Sequence, residues 1–130
     1  MQKVALMGQL HNDGLKILED SKFNIIEISN FSYDNLRKEL NNVEAIALRM
    51  AELPREILQE CKSLKIVSRH GVGYDNVDLN YLNKEKIALA ITGSANAVTV
   101  AEHVMAMFLN LSKLIKTSDQ YVRSGQFNLK

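Results

Sequence analysis

A chain of 130 residues is long enough for one core that buries about two thirds of the surface its unfolded form exposes. With 16 Lys and Arg against 15 Asp and Glu it has no global field to hold nucleic acid or an anionic membrane, and neither partner is expected. No apolar run reaches the length of a membrane span, and the opening MQKVALMG lacks the charged and apolar regions of a secretion signal, so a cytoplasmic protein is expected.

In chain order, KVALMG (Lys3 to Gly8) reads as a short β-branched strand and NDGLKILEDSK as a helix. NIIEIS (Asn24 to Ser29) is a second strand, followed by the helix SYDNLRKELNN with Ser32 as its N-cap. AIALRM (Ala45 to Met50) is the third strand. The helix LPREILQECKS comes next, with Pro54 in the first turn, where a missing N–H costs nothing. LKIVSR (Leu64 to Arg69) is the fourth strand, DLNYLNKEK a short helix capped by Asp78, and IALAIT (Ile87 to Thr92) the fifth strand. Five strands alternating with helices predict an α/β fold: a flavodoxin-like parallel sheet in the order 2-1-3-4-5, with helices on both faces.

The end of the chain has another character. TVAEHVMAMFLNLSKLI opens with Thr99 and Glu102 in a capping-box spacing and is apolar around almost its whole circumference, so a second domain or subunit is expected to cover it. KTSDQYVRSGQFNLK predicts a further helical stretch ending near Gly125. The lone cysteine, Cys61, has no partner for an internal disulfide, and His11, His70 and His103 lack the spacing of zinc ligands; no metal is expected.

In the strand order above, the third and fourth strands are neighbours. Their carboxyl ends carry Arg49 and His70-Gly71-Val72-Gly73, a cation and a glycine-framed loop on the sheet edge where such folds bind ligands. Glycines at this spacing let main-chain N–H groups turn inward together and hold a carboxylate or phosphate. An ordinary turn in which glycine serves only backbone geometry fits the same residues. A dinucleotide pyrophosphate does not: GVGYDN follows the fourth strand rather than the first, leads into a short helix, and has Asn76 where the fingerprint needs its third glycine. A receiver domain would need carboxylates where Gly8-Gln9 and Arg49 stand, and no GxxxxGK[ST] run exists for a nucleoside triphosphatase.

The run LKIVSRHGVGYDNVDLNYLNKEKIALAITGSANAVTVAEHVMAMFLNLSK resembles the D-isomer-specific 2-hydroxyacid dehydrogenases, above all their phosphoglycerate dehydrogenase branch. The RxGVGxDNVD core, the strand after it and the NxxxVAE helix opening come in the family's order, strongly from Leu64 to Lys113 and more loosely from Lys3 to Met50. The resemblance implies that residues 1–98 are the first segment of a substrate domain and 99–130 an interdomain helix and the start of a linker, with the nucleotide-binding Rossmann domain absent from this chain. It implies NAD as cofactor, a small 2-hydroxy or 2-keto acid as substrate, and a homo-oligomer.

By the same resemblance, Gly71, Val72 and Gly73 present N–H groups to the substrate carboxylate, Arg49 is a basic residue of the pocket, and His70 lines it. Val72 lies near the nicotinamide, and Asn96 to Thr99 match the loop facing the interdomain cleft, which makes Val72, Asn96 and Thr99 the cofactor contacts. Met50 departs from the small hydroxyl residue that often follows the arginine in phosphoglycerate dehydrogenases. The family's catalytic arginine, carboxylate and histidine lie beyond the nucleotide-binding domain, so no catalytic residue is assigned here and the chain alone is expected to be inactive. Glyoxylate or hydroxypyruvate reduction is the alternative substrate reading. A freestanding module that binds a small carboxylate, or a partner through its apolar helix, is the alternative in another class. With the Rossmann domain absent, Val104, Met107, Phe108 and Leu111 would lie uncovered and drive self-association.

Overall fold

In the computed structural model, which describes residues 2–127, five strands form one parallel sheet. They are β1 (Lys3–Met7), β2 (Asn24–Ile28), β3 (Ala45–Leu48), β4 (Ile66–Arg69) and β5 (Ala88–Ile91), in the order β2-β1-β3-β4-β5. This is the predicted order. The connections are α1 (Asn12–Glu19), α2 (Tyr33–Leu40), the single turn α3 (Arg55–Leu58) and α4 (Leu79–Glu85).

Strand alternation divides the apolar residues between two faces. Ala5 and Met7 of β1, Ile46 and Leu48 of β3, and Val67 of β4 enter one core cluster with Leu36 and Leu40 of α2, Ile57 and Leu58 of α3, and Leu82 of α4. Most of these are fully buried, each worth roughly 1.5–3 kcal/mol relative to exposure. The opposite face carries Val4, Ala45, Ala47 and Ile66 and is flanked by α1, whose Gly14, Ile17 and Leu18 share a groove of about 700 Å³ with them. Helix α1 buries none of its residues.

The caps follow the sequence in part. Asp78 caps α4 by accepting a hydrogen bond from the Tyr81 N–H at 2.9 Å, whereas Ser32 occupies the N-cap of α2 without a side-chain bond. Pro54 stands one place earlier than predicted, as N-cap of α3.

The register decides where function can sit. Met7 pairs with Leu48, Leu48 with Arg69, and Arg69 with Ile91, so four strands end in one row. The loops beginning at Gly8, Arg49 and His70 therefore leave the same edge side by side.

The chain divides after Gly93 into two units, and the second holds α5 (Ala97–Ser112) and α6 (Ile115–Arg123). The structure corrects the expected start of α5. Asn96 is its N-cap, without a side-chain bond, and the Ala97 N–H donates to the Ser94 carbonyl, so the turn runs straight into the helix and Thr99 is already inside it. The Thr99–Glu102 capping box does not form. The long apolar run is also broken: Leu114 takes a left-handed conformation with φ 50, at a cost of about 1 kcal/mol, and α6 departs at 57° from α5. No single helix among the described residues is long and apolar enough to cross a membrane.

Candidate functional site

Arg49 is the first residue beyond β3, and its backbone N–H still bonds the Met7 carbonyl at 3.0 Å, which carries the sheet ladder one step past the strand. Its guanidinium Nη1 reaches across the edge and donates to the Gln9 carbonyl at 3.0 Å. Gly8 makes that approach possible. It has φ +114, and a Cβ there would stand 3.0 Å from the Arg49 Cβ.

The glycine loop is anchored on both sides. The His70 N–H donates to the Leu48 carbonyl at 2.7 Å, and the Thr92 N–H donates to the Gly71 carbonyl at 3.1 Å. The Gly71 N–H turns back to the Arg69 carbonyl at 2.9 Å and is thereby occupied. Among the described residues, the N–H groups of Val72 and Gly73 have no main-chain or side-chain acceptor. Two free donors, rather than three, are thus offered to a ligand.

Asn76 belongs to the loop's construction. Its Nδ2 donates to the Ala51 carbonyl at 2.6 Å, its main-chain carbonyl accepts from the Leu53 N–H at 2.8 Å, and the pair Leu53 and Val77 form an isolated bridge. The residue in place of the third glycine ties the β3–α3 connection to the β4–α4 connection. A pyrophosphate could not use it.

Arg69 was invisible to sequence reasoning as more than a motif letter. Its guanidinium fills the space beside Gly71, where an added Cβ would lie 1.2 Å from Nη1, and its Nε is buried without a hydrogen-bond partner. Among the described residues neither Arg49 nor Arg69 forms an ion pair. Two guanidinium groups outside any ion pair therefore stand at this edge and favour an anion, while the Asp75 carboxylate lies against Gly73 farther along the loop.

A cavity of about 320 Å³ opens there, lined by Gln9, Leu10, His11, Asn12, Arg49 and His70. The structure thus brings Arg49 and His70 together, as predicted, and adds the β1–α1 loop, which no sequence motif marks. No carboxylate lines this cavity. Gly71, Val72 and Gly73 follow His70 on the same edge without being part of its lining, and Val72 is 41% exposed. Asn96 and Thr99 lie at the start of α5 in the second unit. The larger groove against α1 is mostly apolar; Arg69, His70 and His11 line it as well, together with the acidic residues Asp13 and Glu44.

An open parallel α/β sheet with a glycine-framed loop at its carboxyl edge places the chain in the flavodoxin-like class of α/β domains. Residues 4–125 match the D-isomer specific 2-hydroxyacid dehydrogenase, catalytic domain, family, and the chain belongs to it. It is 32% identical over 129 residues to a D-3-phosphoglycerate dehydrogenase of Bacillus subtilis, covering 98% of this chain and 24% of that protein. The structure is similar to the NADPH-dependent glyoxylate/hydroxypyruvate reductase of Sinorhizobium meliloti in complex with NADP and malonate. That likeness has a TM-score of 0.80 at 25% identity, over 97% of this chain and 39% of that one. It is also similar to the NAD-dependent formate dehydrogenase of Staphylococcus aureus in complex with NAD, with a TM-score of 0.73 at 27% identity, over 99% of this chain and 42% of that one. The chain spans about a quarter of the length of the curated relatives it matches.

Proposed function

We propose that this chain is the substrate-binding part of a NAD-dependent D-2-hydroxyacid dehydrogenase, most like phosphoglycerate dehydrogenase, that moves a hydride between the cofactor and carbon 2 of a small acid. The observation that carries this reading is the sheet edge from which Arg49, without an ion-pair partner, and the loop after His70, with the free N–H groups of Val72 and Gly73, both depart, Arg49 and His70 lining one cavity. A carboxylate held there is oriented by charge-assisted hydrogen bonds, and its neighbouring carbon is fixed for reaction at little further entropic cost.

The chain's own residues fit only one end of the cofactor. The Gly71 N–H is spent in its own turn, Asn76 is committed to Ala51, and α4 has seven residues, so the loop after β4 does not cradle the dinucleotide phosphates. Bound, the nicotinamide supplies the hydride. Val72, 41% exposed, is the apolar side chain this edge would offer to it. None of the described residues is assigned as the proton donor at the substrate oxygen, and their role is to hold the acid.

One observation favours the second substrate reading. Met50, 77% exposed, follows Arg49 where a hydroxyl would help hold a phosphate, which points toward hydroxypyruvate or glyoxylate. Purifying the polypeptide encoded by the whole reading frame and following nicotinamide absorbance with 3-phosphoglycerate, hydroxypyruvate and glyoxylate tests both. Turnover of at least one acid, lost in Arg49→Gln, is the expected result. No turnover with any 2-oxo or 2-hydroxy acid would overturn the assignment.

A further inference from the structure

We propose that His11 determines specificity in this site by donating a hydrogen bond to an oxygen substituent on carbon 3 of the bound acid. The ligands it favours are three-carbon 2-oxo or 2-hydroxy acids with a polar C3 group over the two-carbon glyoxylate. The inference rests on the carboxylate reading above and adds a second contact to it.

The imidazole, 80% exposed, is engaged through one nitrogen. Its Nδ1 lies 3.3 Å from the Asp13 backbone N and 3.3 Å from the Asp13 carboxylate Oδ2, at the head of α1. In neutral imidazole, Nδ1 accepts the Asp13 N–H and the ring proton resides on Nε2. In imidazolium, Nδ1–H donates to the carboxylate and Nε2 is again protonated. Nε2–H is a donor in the imidazolium and in the neutral tautomer whose Nδ1 accepts the Asp13 N–H.

That donor belongs to a residue lining the same cavity as Arg49 and His70, and Asn12 beside it adds an amide. The bond from Arg49 to Gln9 holds the β1–α1 loop and the guanidinium together as one wall. With no Asp or Glu in the lining, the cavity offers charged and neutral donors to an acceptor-rich ligand. A cavity of about 320 Å³ is also larger than a two-carbon acid requires, which leaves room for the C3 substituent.

The experiment is an amide-shift titration of the full chain, labelled with ¹⁵N, with glyoxylate and hydroxypyruvate, wild type against His11→Asn. Asparagine is a stronger N-cap than histidine, so α1 keeps its cap while the side chain loses its reach. Wild type is expected to bind hydroxypyruvate about 5-fold more tightly than glyoxylate, as one added hydrogen bond gives, and His11→Asn to abolish that difference. Equal weakening of both acids would make His11 part of a general anion field and overturn the proposal. An unchanged preference in the variant would also overturn it, with the carboxylate site left standing. Failure of wild type to bind either acid would instead sink the carboxylate reading, and this inference with it.

Discussion

The guanidinium of Arg49 is tied to the carbonyl of Gln9, 40 positions earlier in the chain, by a 3.0 Å hydrogen bond that crosses from the end of β3 to the loop after β1. This bond turns two strand ends into one wall of the candidate site. Gly8 is what lets the two approach, because its φ of +114 is a conformation that side chains disfavour and its missing Cβ clears the Arg49 Cβ.

Gly8→Ala is therefore expected to destabilise the fold by roughly 1–3 kcal/mol through backbone strain, and to weaken acid binding by shifting Arg49. Urea denaturation of the variant measures the first effect. A midpoint equal to wild type would show that the loop relaxes freely and that Arg49 is not held by it.

Gly71→Ala should behave differently. The group its Cβ would meet is the end of the flexible Arg69 side chain, so the fold should survive while the guanidinium is pushed out from beside the loop. We expect less than about 1 kcal/mol of lost stability, within the ordinary range for point variants, alongside a severalfold loss of acid affinity. Calorimetric titration beside a thermal melt separates the two.

Leu82 is the only buried residue of α4 and is fully inaccessible. Leu82→Ala should cost about 2–5 kcal/mol and loosen α4 as a unit, which hydrogen exchange would report as lost protection from Leu79 to Glu85.

Cys61 provides a test in pH. Burial, with a smaller contribution from Glu60, pushes its thiol up from 9.0 to about 11, and its Sγ donates to the Ile57 carbonyl at 3.3 Å. The unfolded chain thus loses this proton at lower pH than the folded one. The contribution is fully present below pH 9.0 and is lost as the pH rises toward about 11. Stability measured across that window should fall more steeply for wild type than for Cys61→Ala, and identical slopes would contradict the assignment. At neutral pH the folded thiol should resist alkylation.

Val104, Met107, Phe108 and Leu111 of α5 are all more than half exposed. With such apolar area uncovered, the chain should self-associate, and Phe108→Ser with Leu111→Ser should shift sedimentation toward monomer. A concentration-independent monomer in wild type would refute this.

The strand order was legible because each short βα connection admits few right-handed paths, and Arg49 and His70 were legible because that order places them side by side. The start of α5 was misread at Thr99 because two N-terminal patterns overlap in SANAVTVAE and the turn from Ser94 takes precedence. The bend at Leu114 has no sequence signal, since leucine disfavours that conformation. Arg69 and His11 were missed for a shared reason. What matters in each is where a long or ring side chain comes to rest, against Gly71 or Asp13, and residue spacing does not record it.

The most direct test of the central claim is the chemical-shift response of the Val72 and Gly73 amides in the full chain to a small 2-oxo acid. The account predicts saturable downfield shifts at these two amides, with the Gly71 amide moving little because its N–H already bonds the Arg69 carbonyl, and about a 10-fold or greater loss of affinity in Arg49→Gln. Shifts at neither amide, or shifts that survive Arg49→Gln undiminished, would show that the loop is a turn and not a carboxylate site.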